Sequence, residues 1–360
     1  MKKKKIGTIF ILIGVIIILA VCFVLTQQNK FLKILELYQL TANLSTVSSS
    51  KILPKEATLI AAGDVMLSRG VAVKIKENGP DYPFLKVQDY LKTGDIVFAN
   101  LENPIAEGRT IKPGEMFFRA DPNLVSELKD NNFFILSLAN NHSGNFGTDG
   151  LKQTFQYLNE AGIKYVGAGE NYEVANSPVF LKKNGLTFAF LAYDDINFTP
   201  AEYGAEEGKA GIAFFDQTEM SKAVALAKKQ ADFVIISMHF GNEYQPLPST
   251  QQKEWAHLAI DLGADLVLGH HPHVVMPIEE YKGKYIFYSL GNFIFDQMWS
   301  RSTREGIIAK IIFNEKGEIK IQEVKPFLIN DYCQPNFING EEGAEILARA
   351  AWPLKSENGD

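Results

Sequence analysis

The sequence predicts an α/β fold built on parallel strands. Apolar runs rich in β-branched and aromatic residues recur along the chain, most of them uninterrupted rather than alternating, as in strands covered on both faces. Helical patterns lie between several of these runs, and strand–helix–strand alternation marks an α/β domain. Most of the runs also end in polar residues able to hold a cation, where ligands gather in open α/β sheets.

The first residues form a separate object. Lys2 to Lys5 are a basic block, and Ile6 to Leu25 is an uncharged apolar run of 20 residues. A helix of about 20 such residues crosses the hydrocarbon core of a bilayer. Lysines on its N-terminal side place residues 1–5 in the cytoplasm and the rest of the chain outside. A cleaved signal peptide competes with this reading, but its apolar stretch would be shorter, roughly 7–15 residues, with a small-residue cleavage site. Leu19-Ala20-Val21-Cys22 only faintly resembles a lipoprotein box, because Val21 is bulky and the apolar run continues. Residues 6–25 therefore read as an uncleaved single-pass anchor in the cell membrane. Residues 26–56 read as a stalk, with a short helix over 31–44 and a Ser/Thr linker over 45–51.

The folded domain is expected over residues 57–330. Its strands are Thr58–Ala62, Ile96–Ala99, Phe133–Leu138, Thr187–Tyr193, Phe233–Met238, Leu266–Leu268 and Tyr285–Tyr288. Asp121-Pro122 offers an N-cap and first-turn proline for a helix reaching Asn131. Leu151, Phe155 and Leu158 line a helix that stops at Gly162. Ser249 and Gln252 form a capping-box pattern, Trp255, Leu258, Ala259 and Leu262 its apolar stripe, and Gly263 its end. Gly306–Phe313 and Glu318–Phe327 flank the turn Asn314-Glu315-Lys316-Gly317 as a hairpin. Residues 331–360 carry no pattern and read as a C-terminal extension.

Composition excludes some functions. A net charge of −6 argues against a nucleic-acid binder, which would show a basic face. With Cys22 in the anchor and Cys333 near the C-terminus, the two cysteines form neither a disulfide framework nor a Cys-type zinc site.

The chemistry is concentrated at the strand ends. Gly269-His270-His271-Pro272-His273 holds half of the six histidines. In extended backbone, residues i and i+2 point the same way, and Pro272 biases His271 toward that geometry, so His271 and His273 are expected to project together. Paired neutral imidazoles suit a transition metal. The other strand ends contribute Asp64, Glu102, Asn141 and His239, and the six residues together read as one metal site.

The motifs resemble the CapA family of capsule or poly-γ-glutamate biosynthesis proteins, relatives of the calcineurin-like metallophosphoesterases. They are Ala62-Gly63-Asp64-Val65-Met66, Ala99-Asn100-Leu101-Glu102-Asn103-Pro104, Leu138-Ala139-Asn140-Asn141-His142, His239-Phe240-Gly241-Asn242-Glu243-Tyr244, Gly269-His270-His271-Pro272-His273-Val274 and Tyr288-Ser289-Leu290-Gly291-Asn292-Phe293-Ile294-Phe295-Asp296-Gln297, in order from about Thr58 to Ile308. The resemblance implies a four-layer α-β-β-α metallophosphoesterase-like sandwich. It further implies two divalent metals (Mn, Fe or Zn), one held by Asp64 and His273, the other by Asn141, His239 and His271, with Glu102 bridging. His142 matches the histidine that protonates a leaving group. Arg69 is placed to clamp an anionic oxygen or to pair with a local acid, and Glu243 to act as acid/base or to orient His239. Tyr244, His270 and Asn292 are the expected substrate contacts, while Asn292 and Asp296, which follow a strand end, alternatively complete the site wall or brace its ligands.

Three positions depart from the pattern. Met66 stands where ordinary metallophosphoesterases have a histidine, Phe240 where the family commonly has tryptophan, and Asn145 where it commonly has an aspartate. The resemblance therefore implies either a metal-dependent hydrolase or transferase acting on an anionic polymer such as poly-γ-glutamate, or a non-catalytic subunit that grips the polymer beside a membrane polymerase complex.

Overall fold

The structure is a computed structural model that describes residues 2–47 and 55–354. It divides into two units, up to Pro54 and from Lys55 onward.

The first unit is one helix, Lys2–Val47. Its stretch Val15–Gln39 is long and apolar enough to cross a membrane, and its side chains are exposed throughout. At 1.5 Å per residue this 46-residue helix is about 70 Å long, more than twice a hydrocarbon core. The separate short helix expected over 31–44 is thus part of one unbroken helix. The linker expected over 45–51 runs into residues 48–54, outside the described residues, as do Met1 and residues 355–360 of the C-terminal segment.

In the second unit the strands are β1 (Glu56–Val65), β2 (Ile96–Leu101), β3 (Phe133–Ser137), β4 (Lys164–Val166), β5 (Ala168–Gly169), β6 (Val179–Lys183), β7 (Leu186–Asp194), β8 (Gly211–Ile212), β9 (Phe233–His239), β10 (Leu266–His270), β11 (Ile278–Tyr281), β12 (Lys284–Phe287), β13 (Asn292–Ile294), β14 (Glu305–Asn314), β15 (Ile319–Asn330) and β16 (Gln334–Phe337). One sheet has eight strands in the order β16-β15-β14-β1-β2-β3-β4, with β13 beside β1; the other has six, β11-β12-β10-β9-β7-β6. The centres of both sheets are parallel; antiparallel strands close both edges of the six-stranded sheet and one edge of the eight-stranded sheet, whose other edge is the parallel β4.

Three apolar seams fix the layering. One cluster packs the first sheet on its helices through Ile60, Val97, Leu136, Leu151 and Phe155. A second joins the sheets through Leu59, Phe98, Phe190, Ile235 and Leu268. A third packs the other sheet on helices through Leu191, Val234, Met220 and Ala256. Alternate residues of one strand enter different seams, which is why the runs read as continuously apolar. The order is therefore α-β-β-α.

Local signals hold with two corrections. Ser249 and Gln252 make the reciprocal capping box of the helix Thr250–Leu262, and Gly263 ends it in the left-handed region at φ 118°. Its buried stripe, however, is Ala256, Ala259 and Ile260, while Trp255, Leu258 and Leu262 are only partly covered. Trp255 instead stacks on Phe215 at 3.8 Å. Beyond residue 330, β16 completes the first sheet, and the helix Gly340–Arg349 buries Ile346 in the seam between sheets.

Candidate metal centre

Parallel pairing aligns the carboxyl ends of the strands. Asp64 lies opposite both Asn100 and Asn292, and His239 lies opposite both Asp194 and His270. Gly63 permits the tight approach of β1 to the Gly291 turn: a Cβ there would sit 1.8 Å from the Gly291 carbonyl oxygen. Ligand-type side chains from both sheets consequently meet at one rim. Donor atoms of Asp64, Glu102 and His239 lie within 4.8 Å of one another, as do those of Glu243, His271 and His273. His273 links the two groups, with Nδ1 3.4 Å from Asp64 Oδ2 and Nε2 3.6 Å from Glu102 Oε1. Asn141 joins through Oδ1, 3.1 Å from His239 Nε2.

The histidine loop reaches this arrangement by a different backbone from the extended one expected. His271 and His273 have φ of 93° and 58°, in the left-handed region that non-glycine residues rarely occupy. These turns fold the loop inward, and the rings end 5.9 Å apart. Strain of order 1–3 kcal/mol per residue is typical of such positions and persists where surrounding contacts fix it. Here Phe198 stacks on His271 at 3.8 Å, and Asn292 Oδ1 lies 2.8 Å from His273 Nδ1.

Electrostatics separate the two acids. Burial alone would raise the Asp64 carboxyl, but the imidazoles of His270 and His273 close beside it hold it well below its usual range. Burial pushes Glu102 well above its usual range, against the attraction of His273. Burial likewise pushes His239 and His271 well below the ordinary imidazole value and His142 down to about 3. His273 departs the other way: burial is overcome by Glu102 and Asp64, which raise it to about 9. His239 and His271 are thus held in the neutral form a cation requires, whereas His273 and Glu102 would give up protons to bind one.

The donor set fits divalent cations. Glu102 Oε1 and His271 Nδ1 are buried with no hydrogen-bond partner among the described residues. Orphaned buried donors of this kind are costly unless something fills the space between them.

Several site residues serve positions other than those expected. His270 and Asn292 do not face substrate. His270 is buried with Nδ1 3.1 Å from Asp64 Oδ1, and Asn292 is enclosed by His273, Gln297 and Thr303. Arg69 pairs with Asp296 and lies over Phe118 at 4.5 Å. Arg69, His142, Glu243 and Tyr244 do line a cleft of about 440 Å³ beside the cluster, with Met116, Phe118 and Trp299 as its apolar wall.

Asn100 was not singled out from the sequence, yet it braces the centre. Its Nδ2 donates to Asp64 Oδ1 at 2.9 Å and Glu102 Oε2 at 3.2 Å, and its Oδ1 accepts from Asn140 Nδ2 at 2.9 Å. The signal was the i, i+2 spacing of Asn100 and Glu102, which puts both on one face of a strand end. Phe118, stacked on His142 at 3.8 Å, had no such signal because it comes from a loop distant in sequence.

Residues 58–297 match the model of the family described as bacterial capsule synthesis protein PGA_cap. The chain belongs to that family. It is 32% identical over 321 residues to the capsule biosynthesis protein CapA of Bacillus anthracis, covering 84% of this chain and 77% of that protein. It is also 32% identical over 333 residues to the PGA biosynthesis protein CapA of Bacillus subtilis, covering 92% and 83%. A solved putative 5'-nucleotidase of Staphylococcus aureus shares the fold at TM-score 0.50 and 13% identity, covering 82% of this chain and 58% of that one. The four-layer α-β-β-α sandwich and the CapA kinship expected from the motifs are thus both found.

Proposed function

We propose that this PGA_cap protein is a membrane-anchored, outward-facing, metal-dependent hydrolase or transferase acting on an anionic capsule polymer of the poly-γ-glutamate type. One observation carries the reading: carboxylate, amide and imidazole donors from five strand ends gather around a buried, orphaned Glu102 oxygen, beside an open cleft that His142, Glu243 and His273 line. Asp64 and His273 would hold one cation, Asn141, His239 and His271 the other, with Glu102 between them. A bound cation pair supplies Lewis-acid stabilisation of charge developing on a phosphoester or γ-glutamyl amide and favours formation of a nucleophile.

The chain's own residues supply proton transfer and positioning. Asn145 Oδ1 accepts the Phe118 N–H at 2.7 Å, so the 3.0 Å contact to His142 Nδ1 is a hydrogen bond donated by the imidazole. Neutral His142 therefore carries its lone pair on Nε2, 4.0 Å from Glu102 Oε1. In this tautomer Nε2 accepts a proton from the attacking group and can return it to the leaving group. Arg69, oriented by Asp296, offers its remaining donors to an anionic oxygen in the cleft.

A second reading, a non-catalytic subunit assisting a membrane polymerase complex, draws support from Met66. That side chain is buried where a histidine ligand is expected, and its sulfur lies 3.1 Å from the Ser68 N–H. The full chain in detergent, assayed for bound metal and for cleavage of a phosphodiester and a γ-glutamyl peptide, separates the two. Turnover lost in His142→Ala and His239→Ala supports the enzyme. Metal retained with no wild-type turnover on either substrate supports the accessory role. A C-terminal reporter active only outside the cell would support the topology.

A further inference from the structure

We propose that His270 supplies the imidazole that Met66 does not, as a further protein ligand, beside the shared Glu102, to the cation assigned to Asp64 and His273. The inference rests on the metal-centre reading and extends it to a residue outside the expected ligand set.

Met66 leaves that half of the centre short of a donor. A thioether is a soft ligand, poorly matched to the metals that carboxylates and imidazoles select. Its sulfur also already receives the Ser68 N–H at 3.1 Å. His270 stands across the seam at the end of β10, in register with His239. Its side chain has no solvent exposure, and both ring nitrogens lack a hydrogen-bond partner among the described residues. A buried imidazole with two idle nitrogens is unusual, since buried polar groups find partners.

Its placement identifies what it lacks. Nδ1 is 3.1 Å from Asp64 Oδ1, yet the contact does not qualify as a hydrogen bond. Donors that sit about 2.1 Å from one ion are separated by roughly 3.0–3.4 Å along octahedral or tetrahedral edges. The His270 contact falls in that range. Close nitrogen and oxygen atoms without donor–acceptor alignment are arranged as co-ligands of something between them. Asn100 already donates to Asp64 Oδ1 at 2.9 Å, so the carboxylate does not need His270 for its orientation.

The test compares His270→Gln with the wild type as full chains in detergent, loaded with Mn²⁺ and desalted. Bound metal is counted by mass spectrometry and affinity by the EPR signal of free Mn²⁺. Gln keeps an N–H able to reach Asp64 but loses the imidazole. The proposal expects one of two equivalents to be lost or weakened at least about 10–100-fold, and Met66→His in the His270→Gln background to restore it. Two equivalents bound by His270→Gln at wild-type affinity would overturn the proposal while leaving the metal centre standing. No metal in the wild type would overturn the centre itself. If His270→Gln does not fold, a crystal structure of the Mn²⁺-loaded wild type decides: a ring nitrogen within about 2.3 Å of the ion supports ligation, and one beyond about 3 Å refutes it.

Discussion

The two sheets bring different chemistry to the same rim. The first sheet supplies acids and amides, Asp64, Asn100, Glu102 and Asn141, at or just beyond β1, β2 and β3. The second supplies imidazoles, His239, His270, His271 and His273, at or just beyond β9 and β10. Neither set is sufficient. Two buried carboxylates without counter-charge repel each other, and neutral imidazoles alone leave a cation's charge uncompensated. A cation centre built from these donors would span the seam, and a bound cation would tie one sheet to the other.

The sharpest way to break this pairing is Glu102→Ala, since Glu102 touches the imidazole side through His273 at 3.6 Å and the amide side through Asn100 at 3.2 Å. The variant is expected to lose the cation pair altogether, read by metal analysis after desalting. Removing His142 tests whether the cleft acts on protons independently of the ligands. His142→Ala should keep its metal and lose turnover by about 10²–10⁴-fold, so lost metal would assign it to the ligand set. Asn100→Ala removes the brace and leaves every ligand present. It should weaken metal binding by about 10–100-fold, measurable by competition with a chromophoric chelator.

The smallest effect concerns a neighbour of the imidazole side. Asp194 is fully buried at the end of β7, and burial raises its carboxyl well above the ordinary 3.8. A raised folded-state value means its contribution to stability is complete below the unfolded value and is lost as pH rises through the folded one. Asp194→Asn has no charge to bury. Its melting temperature should exceed that of the wild type by a margin that grows from pH 5 to pH 9, reaching roughly 2–4 °C for each 1 kcal/mol relieved. A margin that shrinks with pH would contradict the assignment.

Much of this was legible in the sequence, and the reason is topological. Buried parallel strands are marked by continuous apolar runs, so the first polar residues beyond them mark the rim. Asp64, Glu102, Asn141, His239, His271 and His273 could be found that way without knowing the sheet order. What could not be read were features set by tertiary contact. The left-handed turn at His271 runs against the bias imposed by Pro272, and it and the turn at His273 hold because Phe198 and Asn292 fix the rings. Short edge strands such as β4, β6 and β11 carry too few residues for a period to emerge. In the helix Thr250–Leu262, size misled: the bulky Trp255 lies over Phe215, and the smaller Ala256 and Ala259 face the sheet. Asn145 shows a substitution whose place was legible from the motif, while its partner Phe118 required the fold.

Donors of the two sheets are proposed to share one cation centre around Glu102. Anomalous diffraction from crystals of the Mn²⁺-loaded chain tests it directly. Two peaks about 3.5–4 Å apart are expected, both within bonding distance of Glu102, with Asp64 and His273 on one and Asn141, His239 and His271 on the other. No peak at the rim, or ions bound by one sheet's residues alone, would contradict it.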